Sequence, residues 1–409
     1  MLGVIEEQHP ERALLFLQWK HMDWPLLVDS LNLLEVPYVP ITLLVDETGH
    51  ARRAPRLRSA QEIRETVLAF LSEKGPEGQE ESEEDPHQEM KGLPIRAASA
   101  PARPATADAS GWREYGRRLF LTRGAAGLDE AITAYERALE AKPGDPGGWG
   151  HFRLGVLLRA RYDSPLRREG DFQTAVDRWQ EALVRDPNNY IFRRRIQQYG
   201  PRLDKPYPFY DWVATARREI RERGEEPVEL SLLPGGAEIA EPASAGLPRA
   251  DATASAQPDP EGRIRRDEGE LVGVETTVVR GTAEHGGDPA ASPLQVHLAF
   301  RPDEDLKVHW NNEAEGLTVW LDPGPGVEVD PRRLTVPNPP ETLSRETRRL
   351  DFEVAVSPDR ASSEPGSGNG DKLELPGYAL YYVCEDVDGT CLYRRQDLRV
   401  SVPVGSLSP

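Results

Sequence analysis

Two hydrophobic periods divide the chain. From Trp112 to about residue 200, apolar side chains recur at i, i+3, i+4 and i+7, the spacing of one helix face. Beyond residue 294 the period falls to two. Leu294, Val296, Leu298 and Phe300 alternate with other positions, and so do Leu317, Val319 and Leu321. The same holds for Leu350, Phe352, Val354 and Val356, and for Leu398, Val400, Val402 and Val404. Such alternation marks half-buried antiparallel strands. About seven of them, separated by Pro- and Gly-rich turns, predict a β-sandwich over residues 265–409.

The helical segment repeats. "LDEAITAYERALEAKPGDP" and "FQTAVDRWQEALVRDPNNY" align without gaps at an offset of 44. Leu128, Ala131, Ile132, Tyr135, Ala138, Leu139 and Pro143 map onto Phe172, Ala175, Val176, Trp179, Ala182, Leu183 and Pro187. Each unit is preceded by a second helical pattern, Trp112/Tyr115/Gly116/Leu119 and Trp149/Phe152/Gly155/Leu157. This resembles the tetratricopeptide repeat, whose usual period is about 34 residues. The excess fits an insertion at "RARYDSPLRREGD". With "YIFRRRIQQYG" as a further helix and "PYPFYDWVATARREIRERG" as a capping helix, residues 111–230 are expected to form a small helical solenoid. The resemblance implies a concave surface for a peptide or protein partner, or a spacer between modules. Tyr135 and Trp179 are expected in the core, and Arg193–Arg195 on a solvated face.

The first block, residues 1–73, reads strand, helix, strand, short helix, strand pair, helix. Pro10 opens the first helix, where proline is tolerated. Ser59 with Glu62 three residues on forms a capping box for the last. Alternating strands and helices predict an α/β domain. "YVPITLLVDETGHARR", preceded by "DWPLLVDSLNLLEV", resembles the C-terminal portion of the thioredoxin/redoxin family of TlpA type. The resemblance implies that Pro40 is a cis-proline that binds substrate. The family's Cys-X-X-Cys segment would precede "LGVIEE", and no cysteine occurs in this block. The expectation is therefore a truncated thioredoxin-like domain without its own dithiol, either because the chain begins too late, the favoured reading, or because the block is a degenerate docking remnant.

Composition restricts the alternatives. The 409 residues carry a net charge of -19, against the basic surface that sequence-independent nucleic-acid binding needs. No apolar run approaches the ~20 residues of a membrane span. "MLGVIEEQHPERA" shows no signal peptide. The mean hydropathy of -0.59 reflects polar, Pro- and Ala-rich stretches at 74–110 and 231–264, which are expected to be linkers. Asp359–Lys372 is expected to be a loop inside the last domain.

Only two cysteines occur, Cys384 and Cys391, in "YYVCEDVDGTCLY". Asp388-Gly389 signals a hairpin turn, which would bring them opposite one another on adjacent strands. Opposed Cα atoms in such a pair stand about 4.5–5.5 Å apart, within reach of a disulfide. A zinc site needs four ligands, and nothing suitable flanks the pair. A structural staple is possible, but a loop this short contributes only roughly 2.5 kcal/mol in the chain-entropy model. A redox couple is the third reading: Glu385, Asp386 and Asp388 would disfavour a thiolate, while Arg394 and Arg395 would favour one.

"YALYYVCEDVDGTCLY", closing an all-β domain, resembles the N-terminal domain of the thiol:disulfide interchange protein DsbD family. The resemblance implies an immunoglobulin-like sandwich, with Cys384 and Cys391 as a couple that passes electrons to or from a thioredoxin-like protein or domain. It also suggests a periplasmic or extracytoplasmic setting. The loop is one residue longer than in the family, and Leu392-Tyr393-Arg394 stands where prolines are usual. The expected whole is a multidomain α+β thiol:disulfide exchange protein needing no cofactor or metal. The rival is a non-catalytic repeat scaffold whose hairpin disulfide is structural. His309, a lone strand histidine, is expected to be structural.

Overall fold

The computed structural model describes residues 2–39, 41–45, 51–53, 59–72, 102–104, 108–145, 147–205, 210–239, 241–242, 256–268, 270–282, 292–357, 372–386 and 389–403. The chain is a multidomain α+β protein, with its helices between residues 11 and 222 and antiparallel sheets in its C-terminal part. The N-terminal block runs β1 (Gly3–Ile5), α1 (Glu11–Lys20), β2 (Leu26–Val28), β3 (Leu43–Val45), β4 (Ala51–Arg53) and α2 (Ala60–Ser72). Strands β1 and β2 pair in parallel, and β3 and β4 form a separate antiparallel hairpin. Helix α1 starts directly after Pro10, and Ser59 Oγ accepts from Glu62 N at the start of α2. The short helix expected after β2 is instead a pair of turns. Asp29 takes the amides of Leu33 and Leu34 on its carboxylate, and Asn32 and Glu35 adopt left-handed φ of 47° and 50°. Side-chain capture of backbone amides offers the chain an alternative to helix.

The helical unit comprises α3 (Ala109–Arg123), α4 (Leu128–Ala141), α5 (Trp149–Tyr162), α6 (Asp171–Arg185) and α7 (Tyr190–Tyr199), each packed on the next. Asp108 and Asn189 cap α3 and α7 through their side chains. Tyr135 and Trp179 are buried, as their repeat positions predict. Each lies against a glycine of the preceding helix. A Cβ on Gly116 would meet Tyr135 Cδ2 at 2.8 Å, and one on Gly155 would meet Trp179 Nε1 at 2.5 Å. The repeat therefore rests on a glycine that admits an aromatic ring.

After β5 (Asp204–Lys205) comes α8 (Trp212–Glu222). The expected cap on the solenoid packs elsewhere: Val213, Ala216 and Ile220 close on Leu15 of α1, and Trp19 stacks on Trp212 at 5.9 Å. The apolar stripe of α8 fits the stripe of α1, which otherwise lacks cover. Strand β6 (Glu241–Pro242) pairs with β5. The expected linker at 231–264 is docked at both described ends, Glu238 being buried against Arg12 and Asp259 against Arg395. The linker expected at 74–110 lies outside the described residues up to 101, as does the loop at 359–371.

The C-terminal unit contains β7 (Val272–Arg280), β8 (Leu294–Pro302), β9 (Val308–Asn311), β10 (Thr318–Leu321), β11 (Val327–Asp330) and β12 (Arg333–Thr335). It continues with β13 (Leu343–Ser344), β14 (Arg348–Val356), β15 (Lys372–Glu385) and β16 (Cys391–Pro403). One sheet has the order β12-β10-β15-β9-β13, with β16 along the other side of β15; the second is β11-β14-β8-β7. Both contribute to one core, with Val296, Phe300, Phe352 and Val354 from one sheet and Trp310, Val319, Tyr381 and Val400 from the other.

The two units are bonded to each other. The Gln173 side-chain amide donates to Val278 O at 3.3 Å and accepts from Val278 N at 2.8 Å. It thereby covers part of edge strand β7, whose backbone groups would otherwise lack partners. Glu275 Oε1 accepts from Gly170 N at 3.0 Å, and the His297 ring meets Tyr199 O at 2.7 Å.

Two outcomes follow from this packing. Gly155→Ala should lower stability by about 1–3 kcal/mol in urea denaturation, because the added methyl meets Trp179 and the Ala175 carbonyl. The second concerns Glu6, whose backbone carbonyl accepts from Arg195. Burial first, then Asp29, pushes its carboxyl up to about 8, against a partial offset from Arg195. A carboxyl with a raised folded-state value contributes stability that is complete below its unfolded value and is lost as pH rises through 8. The urea midpoint should therefore fall between pH 5 and 9, and Glu6→Gln should flatten that slope.

Candidate functional site

Cys384 is the penultimate residue of β15 and Cys391 opens β16, in register at the last position of a thirteen-pair ladder. They are joined by a disulfide with Cα atoms 3.9 Å apart. Closer to the turn, Glu385 N donates to Thr390 O. That makes the cysteines a non-hydrogen-bonded pair, the type in which opposed residues approach most closely. The distance is nonetheless shorter than the spacing expected from an unbridged ladder. Val387 and Asp388 of the turn lie outside the described residues.

The pair faces away from the core between the sheets. Ala379, Tyr381 and Val383 point inward, so the two-residue period sends Tyr378, Leu380, Tyr382 and Cys384 outward. A second, smaller cluster forms there from Trp320, Tyr378 and Leu380, with Ile264 and Tyr393 against it. Directly behind the disulfide, Tyr382 and Tyr393 stack at 4.2 Å and 13°. The two sulfur-bearing residues differ in access: Cys384 is 2% exposed, and Cys391 is an exposed residue.

The surroundings are more neutral than the charges in the sequence suggest. Asp386 lies 3.6 Å from Lys307. Arg395, expected to favour a thiolate, is held by Asp259 and Asp397 at 2.9 and 2.8 Å and lies over the Tyr378 ring. Arg394 donates to Tyr393 O. His309 on β9 is directly opposite Cys384 in the register; it is 3% exposed, and its Nε2 has no hydrogen-bond partner. Its place beside the couple was hidden because "KVHWNN" alone does not reveal which strand β9 joins.

Pro40, the expected substrate-binding cis-proline, lies outside the described residues. Two helices of the expected repeats, α5 and α7, are bonded to the chain's own N-terminal block. Arg153 of α5 donates to Leu31 O and Asn32 O at 3.1 Å and pairs with Glu35 at 3.0 Å. Gln8 donates to Val156 O, and Tyr190 N donates to Pro37 O. Arg195, expected on a solvated face, is buried and donates to Gln8 Oε1 and Glu6 O. The run of three arginines is split by helical geometry, which turns Arg195 toward the side of Ile191 and Phe192.

Neither a family model nor a curated protein matches the chain.

The difference in access sets a measurable order of reactivity. After reduction, iodoacetamide should label Cys391 at least roughly tenfold faster than Cys384 in the native protein. Peptide mapping over time reads both rates, and denaturation should make them equal.

Proposed function

We propose that the chain exchanges disulfides through Cys391, with Cys384 as its buried partner, and that the other participant is a thioredoxin-like protein or domain. The observation that carries this is the asymmetric hairpin disulfide, with one exposed and one buried half. An incoming thiolate attacks Cys391 Sγ, the S–S bond breaks, and Cys384 leaves as a thiolate that takes up a proton. The attacking protein is then joined to Cys391 as a mixed disulfide. Its second thiol, as thiolate, attacks its own sulfur in that bond and releases Cys391, so two electrons pass to this chain and the partner is left oxidised.

The resemblance to the DsbD N-terminal domain supports an immunoglobulin-like identity for the C-terminal unit, and the 44-residue repeat supports a tetratricopeptide-type identity for the helices. The N-terminal block fits a partial redoxin in its strand and helix order. The reading implies an oxidising compartment, where such a pair persists between turnovers. Beyond the bridge of Arg266 to Arg395, the outer edge of β16 carries no strand among the described residues, which leaves room for an extended partner segment beside Cys391.

The rival scaffold function needs an open repeat surface, and residues 6–8 and 31–37 already bond to α5 and α7. A staple would also add little to strands paired over thirteen positions.

Cys384→Ser, its Cys391 first activated as the mixed disulfide with thionitrobenzoate, should form a mixed disulfide with a reduced thioredoxin whose resolving cysteine is removed, releasing thionitrobenzoate, and Cys391→Ser activated in the same way at Cys384 should form little. The wild-type couple should have a potential above about -300 mV. A lower potential with no trapped complex would establish the staple instead.

A further inference from the structure

A cavity of about 260 Å³ lies where the N-terminal block, the helical unit and the β unit meet. His9 reaches it from the first. Tyr162, Asp163 and Arg167 come from the second, and Arg301, Thr347 and Arg349 from the third. Ser231, from the segment after α8, completes the rim. This segment is one of those expected to be a mere linker.

The wall is rich in donors and poor in free acceptors. Asp163, its one carboxylate, accepts two bonds from Arg159 at 2.9 and 3.1 Å. Glu275, behind the wall, accepts from Arg301 at 2.8 Å and more weakly from Arg167 at 3.4 Å. Arg301 also donates to the Tyr162 hydroxyl at 3.0 Å, while its Nε is buried without a partner. Arg349 makes no ion pair or hydrogen bond among the described residues, and Asp351, whose carboxyl its charge helps to hold down, already bonds His297 at 2.7 Å. His9, held down to about 3 by burial and by Arg159, is a neutral ring that bonds Tyr199. The hydroxyls of Tyr162, Ser231 and Thr347 retain protons to donate.

We propose that this junction is a binding site for a tetrahedral oxyanion of the phosphate type, held by Arg349, Arg301 and Arg167 with the three hydroxyls. Arg301 Nε is buried without a partner, and Arg349, exposed at the mouth, has no acceptor among the described residues; an anion there gives each a charge-assisted bond it now lacks. Donors arriving from four chain segments suit oxygens that point in several directions better than a planar carboxylate. Occupancy would tie the helical unit and the β unit together, since both supply donors to the same ion. The assignment is independent of the cysteine couple.

The test is thermal unfolding and calorimetry of the full chain with inorganic phosphate, against chloride at matched ionic strength. Phosphate should raise Tm in a saturable manner. Arg349→Gln should weaken the apparent affinity by roughly tenfold or more, and Thr347→Val should weaken it less. Arg399→Gln, which removes one positive charge elsewhere, should leave the affinity unchanged. Phosphate and sulfate also stabilise proteins by exclusion from their surface, without saturation. A linear effect, or one that survives in Arg349→Gln, would overturn the proposal. Equal saturable binding of succinate would overturn its tetrahedral character.

Discussion

The assembly depends on the burial of three guanidinium groups along a single helix. Arg153, Arg159 and Arg161 of α5 are all buried. A buried charge is costly unless it is fully paired and hydrogen-bonded. Each finds its partners in a different place. Arg161 joins α4 and α6 through Asp129 and Asp171 at 2.7 and 2.6 Å. Arg153 holds the turn carbonyls of the N-terminal block. Arg159 bonds Asp163 and lies over the rings of Phe172 and Tyr199, at 4.1 and 4.7 Å. Because the partners come from three directions, α5 is enclosed on nearly every side, and the arrangement of the units is fixed by what satisfies its charges.

This explains which parts of the structure were legible in the sequence. A half-buried strand leaves a two-residue period, and a packed repeat leaves matching apolar positions, so the strands and the helices α3–α7 could be placed from local pattern. The docking of residues 6–8 and 31–37 leaves no such trace. It rests largely on backbone carbonyls accepting from groups more than a hundred residues away, and any sequence supplies carbonyls. The same reason hid the cavity at the junction: its arginines are spread over residues 167–349, in a chain whose net charge points the other way. Helix α8 had the expected amphipathic stripe, but a stripe specifies only that cover is needed, not which helix provides it.

The cysteine hairpin was legible to the level of register, and only to that level. "YALYYVC" is apolar at successive positions, so its two faces look alike in sequence. Cross-strand neighbours decide between them. Val319 opposite Ala379 belongs to the core between the sheets, and Trp320 opposite Tyr378 belongs to the outer cluster. The pairing of the two cysteines was therefore legible in the sequence, and the face on which they lie was not.

That orientation bears on how the couple could cycle. The side chains that hold the two sheets together, Tyr381 and Val383 on β15 and Val400 and Val402 on β16, lie on the face opposite the sulfur atoms. The contacts nearest the bond lie on the outer face, beside the Tyr382–Tyr393 stack, and the inter-sheet packing lies on the other. Of the thirteen pairs in the ladder of β15 and β16, only one joins the cysteines, and the other twelve are held without the covalent bond. A disulfide embedded in the core would couple reduction to loss of packing, which costs several kcal/mol when a large side chain is displaced. Here the covalent change and the folded core occupy opposite faces of the same strands. A single pleat, one residue in width, separates the disulfide from the packing that holds the two sheets together.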